Sequence, residues 1–385
     1  MSMNNIEKIG DLCFGCRSCE QSCPKHCITI QENDEGFLYP FIDMSACVEC
    51  GLCLKKCPAN DVDVHRNQPK HVYGARNKED ASIMKSASGG ISDVAATYIL
   101  NRNGIVFGAA YDDGLHVHHI EIKDTKDKYK IQSSKYVQSN LEHTYSKAKA
   151  YLDQDRFVLF TGTPCQISGL YAFLQKDYEK LYTLDLICHG VPSPKLFDSY
   201  IQYQSKKLKE PVTSFDFRSK EKRGWATQYK ITTEHHTKSD LLALDKYGKH
   251  FMDGDCYRMS CYQCPFANLN RVGDLTIGDF WSVSQTHKEF YSDKGVSSVF
   301  VNTKKGQALF NEIEDDVYHI DSTVEKALMK QGNLVSPTKY TSARKDFYKN
   351  IGSSDFFENM KIGWNVKARI KRMLPKKFIQ FIKNI

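Results

Sequence analysis

No stretch of this chain is apolar for long enough to cross a bilayer, which takes about 18 or more consecutive residues. The opening MSMNNIEKIGDL has no basic stretch leading into an apolar one, so no secretory signal is expected. No Gly-x-Gly-x-x-Gly occurs, which leaves a pyridine dinucleotide without its usual fingerprint. Acid is missing from one region: residues 359–385 hold eight Lys and Arg and no Asp or Glu. The other 45 of the 53 basic residues face all 46 acidic ones, so the net charge of +7 belongs to that tail. A body without surplus positive charge offers no footing for a nucleic-acid partner. Disorder is excluded as well, because 41% hydrophobic and 12% aromatic residues are enough for a real core.

Cysteine, by contrast, is abundant, with 14 in 385 residues. With no export signal, the expectation is a cytoplasmic chain with reduced thiols, in which clustered Cys-x2-Cys spacing means metal or redox chemistry rather than disulfides. CFGCRSCEQSCP (residues 13–24) returns as CVECGLCLKKCP (residues 47–58), each in the form Cys-x2-Cys-x2-Cys-x3-Cys-Pro. This is the spacing of bacterial two-cluster ferredoxins, where the fourth cysteine of each run ligates the other cluster. One [4Fe–4S] cluster is therefore expected on Cys13, Cys16, Cys19 and Cys57, and a second on Cys47, Cys50, Cys53 and Cys23. Zinc prefers two separated pairs and fits this doubled 2-2-3 spacing poorly. Cys27 falls outside the pattern and reads as a small buried hydrophobe. Between the runs, ITIQENDEGFLYPFID alternates around a turn at Asn33–Gly36, as a hairpin does.

Beyond a polar linker at 61–75, SASGGISDVAATYIL gives a small-residue turn at Ser86–Gly90 and a helix over Ser92–Asn101, followed by an apolar strand over Ile105–Tyr111. Such a turn at a helix N-terminus either holds a phosphate or is only a turn. RFVLFTGTPCQISGL predicts a strand over Arg156–Thr161, a turn with Gly162, Pro164 and Cys165, and a helix from Gln166. LYTLDLICHGVPSP predicts a strand over Leu181–Ile187 with Cys188 and His189 at its end and a helix from near Pro194. Two strands thus deliver cysteines to the C-terminal edge of a sheet, where open α/β sheets bind ligands. Cys256, Cys261 and Cys264 follow, then Gly-Asp twice (Asp274, Asp279) and Phe280-Trp281. The two aspartates either orient ligands or cap turns, and the two aromatics read as core.

SASGGISDVAATYIL, KYVQS (135–139), TGTPCQISGL, DLICHGVPSP, CYQCPFANLNRVGDLTIGDFW and KGVSSVFVNTKKG (294–306) together resemble the coenzyme F-420 hydrogenase/dehydrogenase beta-subunit family, in the variant with a fused ferredoxin module. The resemblance covers about residues 72–310. It implies an FAD, approached by Ser88, Gly89 and Gly90, by Lys135, Tyr136 and Ser139, and by Thr161, Gly162 and Thr163. It also implies a further [4Fe–4S] cluster, for which Cys165, Cys188, Cys261 and Cys264 are the candidate thiolates and Cys256 the spare. Zinc on the Cys-x2-Cys pair with Cys256, a reactive Cys165, or no metal at all are the alternatives. His189 either protonates a substrate or packs at its strand end.

The expected architecture is α+β. A bacterial-type two-[4Fe–4S] ferredoxin module spans 1–62. An α/β flavin-binding domain with a mixed sheet spans 72–340, with parts at 72–150 and 151–310. A basic helical tail spans 359–385. The expected function is an iron–sulfur flavoprotein oxidoreductase that takes electrons from a donor such as ferredoxin and passes them by hydride transfer to a small-molecule or lipid-linked substrate. The alternative is an electron-transfer subunit of a larger hydrogenase- or dehydrogenase-like complex with no substrate site of its own. In the tail, Val366, Ile370, Met373, Leu374, Phe378, Phe381, Ile382 and Ile385 recur at helical spacing among lysines and arginines, with Pro375 as a kink. A helix of that kind lies on its own protein or on the inner face of the cell membrane as a peripheral contact.

Overall fold

A computed structural model of the chain describes residues 4–60, 66–363 and 365–374. The two cysteine runs fold alike. A left-handed residue, Arg17 (φ 61°) in the first and Gly51 (φ 69°) in the second, starts a single helical turn, α1 (Ser18–Gln21) and α2 (Leu52–Lys55). Between them strands β1 (Ile28–Glu32) and β2 (Leu38–Ile42) pair antiparallel, with Ile28 opposite Ile42. The expected turn joins them, and Asn33 Oδ1 accepts from the Phe37 amide at 2.8 Å. Ile28 and Ile42 bury together with Ile6, Ile9 and Leu54 around the cysteines, which is nearly all the core this module has.

The larger body is built on one mixed sheet. Its strands are β3 (His71–Asn77), β4 (Ile105–Tyr111), β5 (Val117–Ile122), β6 (Val158–Gly162) and β7 (Leu181–Leu186). After a separate antiparallel sheet of β8 (Ser214–Asp216), β9 (Gln228–Thr232) and β10 (Thr237–Leu241) come β11 (Leu275–Asp279), β12 (Ser297–Val301) and β13 (Val317–Ser322). The order is β13-β3-β12-β11-β7-β6-β4-β5. The four central strands β11, β7, β6 and β4 run parallel, and those flanking them are antiparallel. Central parallel strands are covered on both faces and read as continuous apolar runs. Accordingly β12 is buried at every position and β6 at four of five.

Helices supply the cover. On one face α3 (Ile91–Asn101) and, late in the chain, α6 (Lys304–Ile313) bury Ile91, Ala95, Ile99, Leu309 and Phe310. On the other, α4 (Pro164–Leu174) buries Ile167 and Leu170 against Phe107 and Phe160. Helix α4 begins at Pro164 rather than at Gln166 as expected. Thr163 and Gln166 form a reciprocal capping box with proline in the first turn, which starts a helix two residues earlier and draws Cys165 into that turn. Helix α5 (Pro194–Leu208), capped by Ser193, packs Phe197 and Tyr200 against Phe215, Phe217 and Tyr247 below the small sheet.

The ferredoxin module is fastened to this body. Arg344, buried, grips Glu35 in the hairpin turn with two bonds of 2.8 and 2.6 Å. Lys56 Nζ donates to the Phe173 carbonyl at 2.8 Å at the end of α4. The tail contributes α7 (Val366–Met373). The expected kink at Pro375 and the apolar residues from Phe378 onward lie outside the described residues, as do residues 61–65 of the expected linker. Among the described residues no helix is long and apolar enough to cross a membrane.

Candidate functional site

The thiols gather in three groups. Burial, and then the neighbouring thiols of Cys16, Cys13 and Cys57, push Cys19 well above its ordinary value. Cys16 is raised in the same way by burial, Cys57 and Cys13. The second group lines a cavity of about 20 Å³ made by Cys23, Cys47, Cys50 and Cys53, with Cys27 beside them. Cys27 is buried as expected, but it sits among ligand-type thiols, its Sγ 3.5 Å from Cys23 Sγ. The third group is Cys165 in the first turn of α4, Cys188 just past β7, and Cys261 and Cys264 on the loop before β11. Burial raises Cys188, with Cys261, Cys165 and Cys264 adding to it. Cys165 is pushed up to about 11 by burial and Cys264, and Cys261 to about 12 by burial and Cys264. Thiolates packed this way charge together only around a cation, which is the donor set a polynuclear iron site needs. Among the described residues no three His, Cys, Asp or Glu side chains close on a single-ion site. Cys256 stands apart, buried in the aromatic core under α5, with its carbonyl accepting from Tyr348.

Two features join the first group to the third. Cys165 and Gly169 are four residues apart on α4 and so share a face. A Cβ on Gly169 would lie 2.8 Å from Cys16 Cβ and 2.9 Å from Cys16 Sγ, so only glycine lets the module seat Cys16 against the helix that carries Cys165. The second is Arg258, 1% exposed. Its Nε donates to the Cys13 carbonyl at 2.6 Å, and its Nη1 donates to the Leu38 carbonyl at 3.0 Å and to Gln138. The guanidinium lies 3.8 Å from the Tyr39 ring centre, and its Nη2 has no partner.

Cys165, Cys188, Cys261, Cys264 and Arg258 all line the largest cavity among the described residues, about 290 Å³. It opens at the C-terminal ends of the parallel strands, where such sheets bind ligands. Thr161, Gly162 and Thr163 follow β6 into it, and Leu186 to Gly190 follow β7. Ser88 and Gly90 enter at the N-terminus of α3, whose cap residue Gly90 (φ 81°) supplies no side chain, so the first amides are free to meet an anion. Buried cations surround this end. Arg218 holds Asp279 through bonds of 2.7 and 2.9 Å and the Ala87 carbonyl at 2.9 Å. Lys220 donates to the carbonyls of Ile83 and Ser88. Burial lowers both Lys135 and Lys220 to about 7. A phosphate-bearing cofactor fits a cradle of this kind, and the apolar ends of β7 and β11 with Trp281 suit a flat ring system.

Not every expected residue faces the cavity. Gly89 turns to the sheet: its amide donates to Ser297 Oγ at 2.9 Å, and a Cβ there would lie 2.4 Å from the Ala75 carbonyl. Tyr136 lines the wall, accepts from Arg218 and stacks on Phe251 at 4.3 Å. Ser139 is paired with His119 Nδ1 at 2.7 Å. His189 lies at the cavity mouth, lowered by the desolvating walls and partly restored by Asp279. Asp274 caps structure rather than orienting a ligand, since it accepts from the Thr183 amide and from Thr303. Phe280 is core as expected. Trp281 is on the cavity wall instead, stacked on Trp225 at 5.0 Å.

Residues 12–60 match the family described as 4Fe-4S dicluster domain, and residues 155–326 match the C terminus of the coenzyme F420 hydrogenase/dehydrogenase beta subunit. The chain belongs to the coenzyme F420 hydrogenase/dehydrogenase beta-subunit family. The F subunit of F(420)H(2) dehydrogenase from Methanosarcina mazei is 20% identical over 320 residues, 80% of this chain and 84% of that protein. The I subunit of NADH-quinone oxidoreductase from Pelobacter propionicus is 33% identical over 66 residues, 15% of this chain and 35% of its own length. A chain of the F420-reducing [NiFe] hydrogenase complex from Methanosarcina barkeri superposes with a TM-score of 0.46 at 18% identity, covering 68% of this chain and 85% of that one. The family is one of iron–sulfur oxidoreductases, and the N-terminal dicluster domain is a holder of two [4Fe–4S] clusters.

Within this family member, sequence reasoning missed Arg218, Lys220, His119 and Arg258. FRSKEKRGW reads as a solvated basic run, and nothing in it marks Arg218 as buried. His119 alternates inward on β5, where its Nε2 reaches the Thr161 carbonyl at 3.0 Å and ties two expected cofactor segments together. Arg258 had a usable signal: it lies between Cys256 and Cys261, where a buried cation has thiolates to balance.

Proposed function

We propose that the chain is an iron–sulfur flavoprotein subunit, with a third [4Fe–4S] cluster on Cys165, Cys188, Cys261 and Cys264 and an FAD in the adjoining cavity. One observation carries this reading: four cysteines from three separate elements line the same cavity as an uncapped helix N-terminus and buried cations, beside Cys16 of the dicluster domain. Clusters supply single electrons, and a flavin exchanges them as a pair with a hydride carrier. The residues of this chain have the remaining tasks. Lys135 and the first amides of α3 hold the anionic part of the cofactor. Arg218, locked by Asp279, fixes the turn that carries Ser88. Leu186, Ile187 and Trp281 exclude water from the ring site. His189 is the one imidazole at the cavity mouth among the described residues, and its lowered proton affinity keeps it neutral and able to accept a proton from a reacting carrier at neutral pH.

The curated relative that spans most of this chain is named as part of a dehydrogenase. That supports the alternative over a self-sufficient enzyme: an electron-transfer subunit of a larger hydrogenase- or dehydrogenase-like assembly. The two readings differ in whether the isolated chain turns over a hydride carrier by itself. The deciding measurement is a cofactor inventory on anaerobically purified full chain. About twelve irons per chain, for three cubanes, together with extracted FAD, is the expected result. About eight irons and no flavin would sink the internal flavin site and leave the electron-transfer role. With flavin present, reduction of a deazaflavin or nicotinamide by the isolated chain then separates an enzyme from a subunit.

A further inference from the structure

A surface helix ordinarily turns its apolar stripe to the core and its charges to water. Helix α7 does the reverse. Its inward positions are buried Ala368 and half-buried Lys371. Val366, Ile370 and Met373, at i, i+4 and i+7, share the opposite face and are 52, 53 and 82% exposed. Polar contacts fix this orientation. Arg223 Nη1 donates to the Lys371 carbonyl at 2.9 Å, its Nη2 bonds the Arg372 carbonyl, and Arg372 pairs with Asp240 at 3.2 Å. The Asn365 side chain caps the start by accepting from the Ala368 amide at 2.9 Å. The apolar stripe is therefore held outward by the body, with basic side chains along its flanks. In sequence the same composition continues, since PKKFIQFIKNI adds three lysines and four large apolar residues before the final Ile385, and no acid.

We propose that the outward face of α7, with the basic tail that follows it, is a docking surface for an anionic lipid bilayer. An apolar stripe bordered by Lys and Arg matches the interfacial plane of a membrane, where apolar side chains enter the acyl boundary and cations meet lipid phosphates. A second copy of the chain is a poor occupant, because residues 359–385 carry eight positive charges and no negative one with which to complement themselves. The surface is independent of what the cavity binds.

The test uses the full chain with its clusters intact, floated with vesicles of equal parts phosphatidylcholine and phosphatidylglycerol, and with pure phosphatidylcholine. The wild type should float with the anionic vesicles and not the neutral ones, and high salt should release it. Ile370→Ser with Met373→Ser should weaken partitioning about tenfold or more, because the affinity of an interfacial helix scales with the apolar area it inserts. Both side chains are exposed, so folding is preserved and the iron–sulfur absorbance serves as the check. Lys367→Glu should weaken it too. Failure of the wild type to float, or flotation untouched by the double serine variant, would overturn the proposal. So would a self-association in sedimentation that the serine variant abolishes, which would assign the stripe to a second copy.

Discussion

Replacing Gly169 with alanine tests how the dicluster domain meets the body. The added methyl would lie 2.7 Å from Tyr145 Oη, 2.8 Å from Cys16 Cβ and 2.9 Å from Cys16 Sγ. Ordinary contact starts near 3.4 Å, so at least one neighbour must yield by about half an ångström. Tyr145 is held by its bond to the Gln166 carbonyl at 2.7 Å within a buried aromatic core, so Cys16 is the group with freedom to move. Overpacking costs about 1–3 kcal/mol. Alanine in mid-helix returns about 1 kcal/mol. The net loss is therefore small, about 0–2 kcal/mol, and the fold survives while a cluster ligand is displaced. The assay is the rate at which an iron chelator bleaches the iron–sulfur absorbance of anaerobic protein, with thermal melting alongside. Gly332→Ala is the control, since nothing lies within 4 Å of a Cβ there. The expected outcome is a faster bleaching phase in Gly169→Ala alone, worth about one cubane in three. A Gly169→Ala protein that bleaches and melts like the control would refute the close seating of Cys16 on α4.

Arg218→Met should abolish retention of FAD and, by stranding buried Asp279, cost about 3–5 kcal/mol. Arg218→Lys keeps the charge without the two-pronged grip, and normal flavin content there would show that the fork is unnecessary. Lys135 titrates near 7 in the free protein, so above that pH an anionic cofactor must bring a proton back with it. Affinity for FAD should then fall about tenfold per pH unit above 7 and level off below it. A flat fluorescence titration across that range, or a slope that survives Lys135→Met, would rule Lys135 out. Arg271 pairs with fully buried Asp185 at 2.7 Å and braces the Phe266 carbonyl beside Cys264. Arg271→Met should cost about 3–5 kcal/mol in calorimetry and loosen the Cys261–Cys264 loop first, and a change below about 1 kcal/mol would contradict a structural role for the pair.

What could be read from sequence were features whose partners are close along the chain. The doubled cysteine runs carry their own spacing. The hairpin between them is set by alternation and an Asn–Gly turn. The cysteines after β6 and β7 follow from strand endings. The unreadable part joins distant segments. Arg218 and Asp279 are 61 residues apart, Arg258 and Cys13 are 245 apart, and neither pair leaves a periodic trace. Gly89 and Gly90 look equivalent in SASGG, yet one packs on β12 and the other caps α3, because the direction of each is decided by strands more than 200 residues later in the chain. Trp281 escaped for the same reason. Its apolarity is visible, but its place on the cavity wall depends on Trp225 and Arg218.

The tail makes the limit plainest. Helical periodicity establishes that Val366, Ile370 and Met373 share a face, but a period has no sense of inside and outside. For most helices the hydrophobic effect supplies that sense, and the apolar side is assigned to the core without error. Here the helix is rotated by two polar anchors, Arg223 at its last carbonyls and Asp240 at Arg372. Neither anchor lies within 100 residues of it. Exposing three apolar side chains in water is unfavourable by an amount that a few surface polar contacts do not offset. The orientation is therefore stable only if those side chains leave water in the working state, which is the physical ground for expecting a surface that receives them.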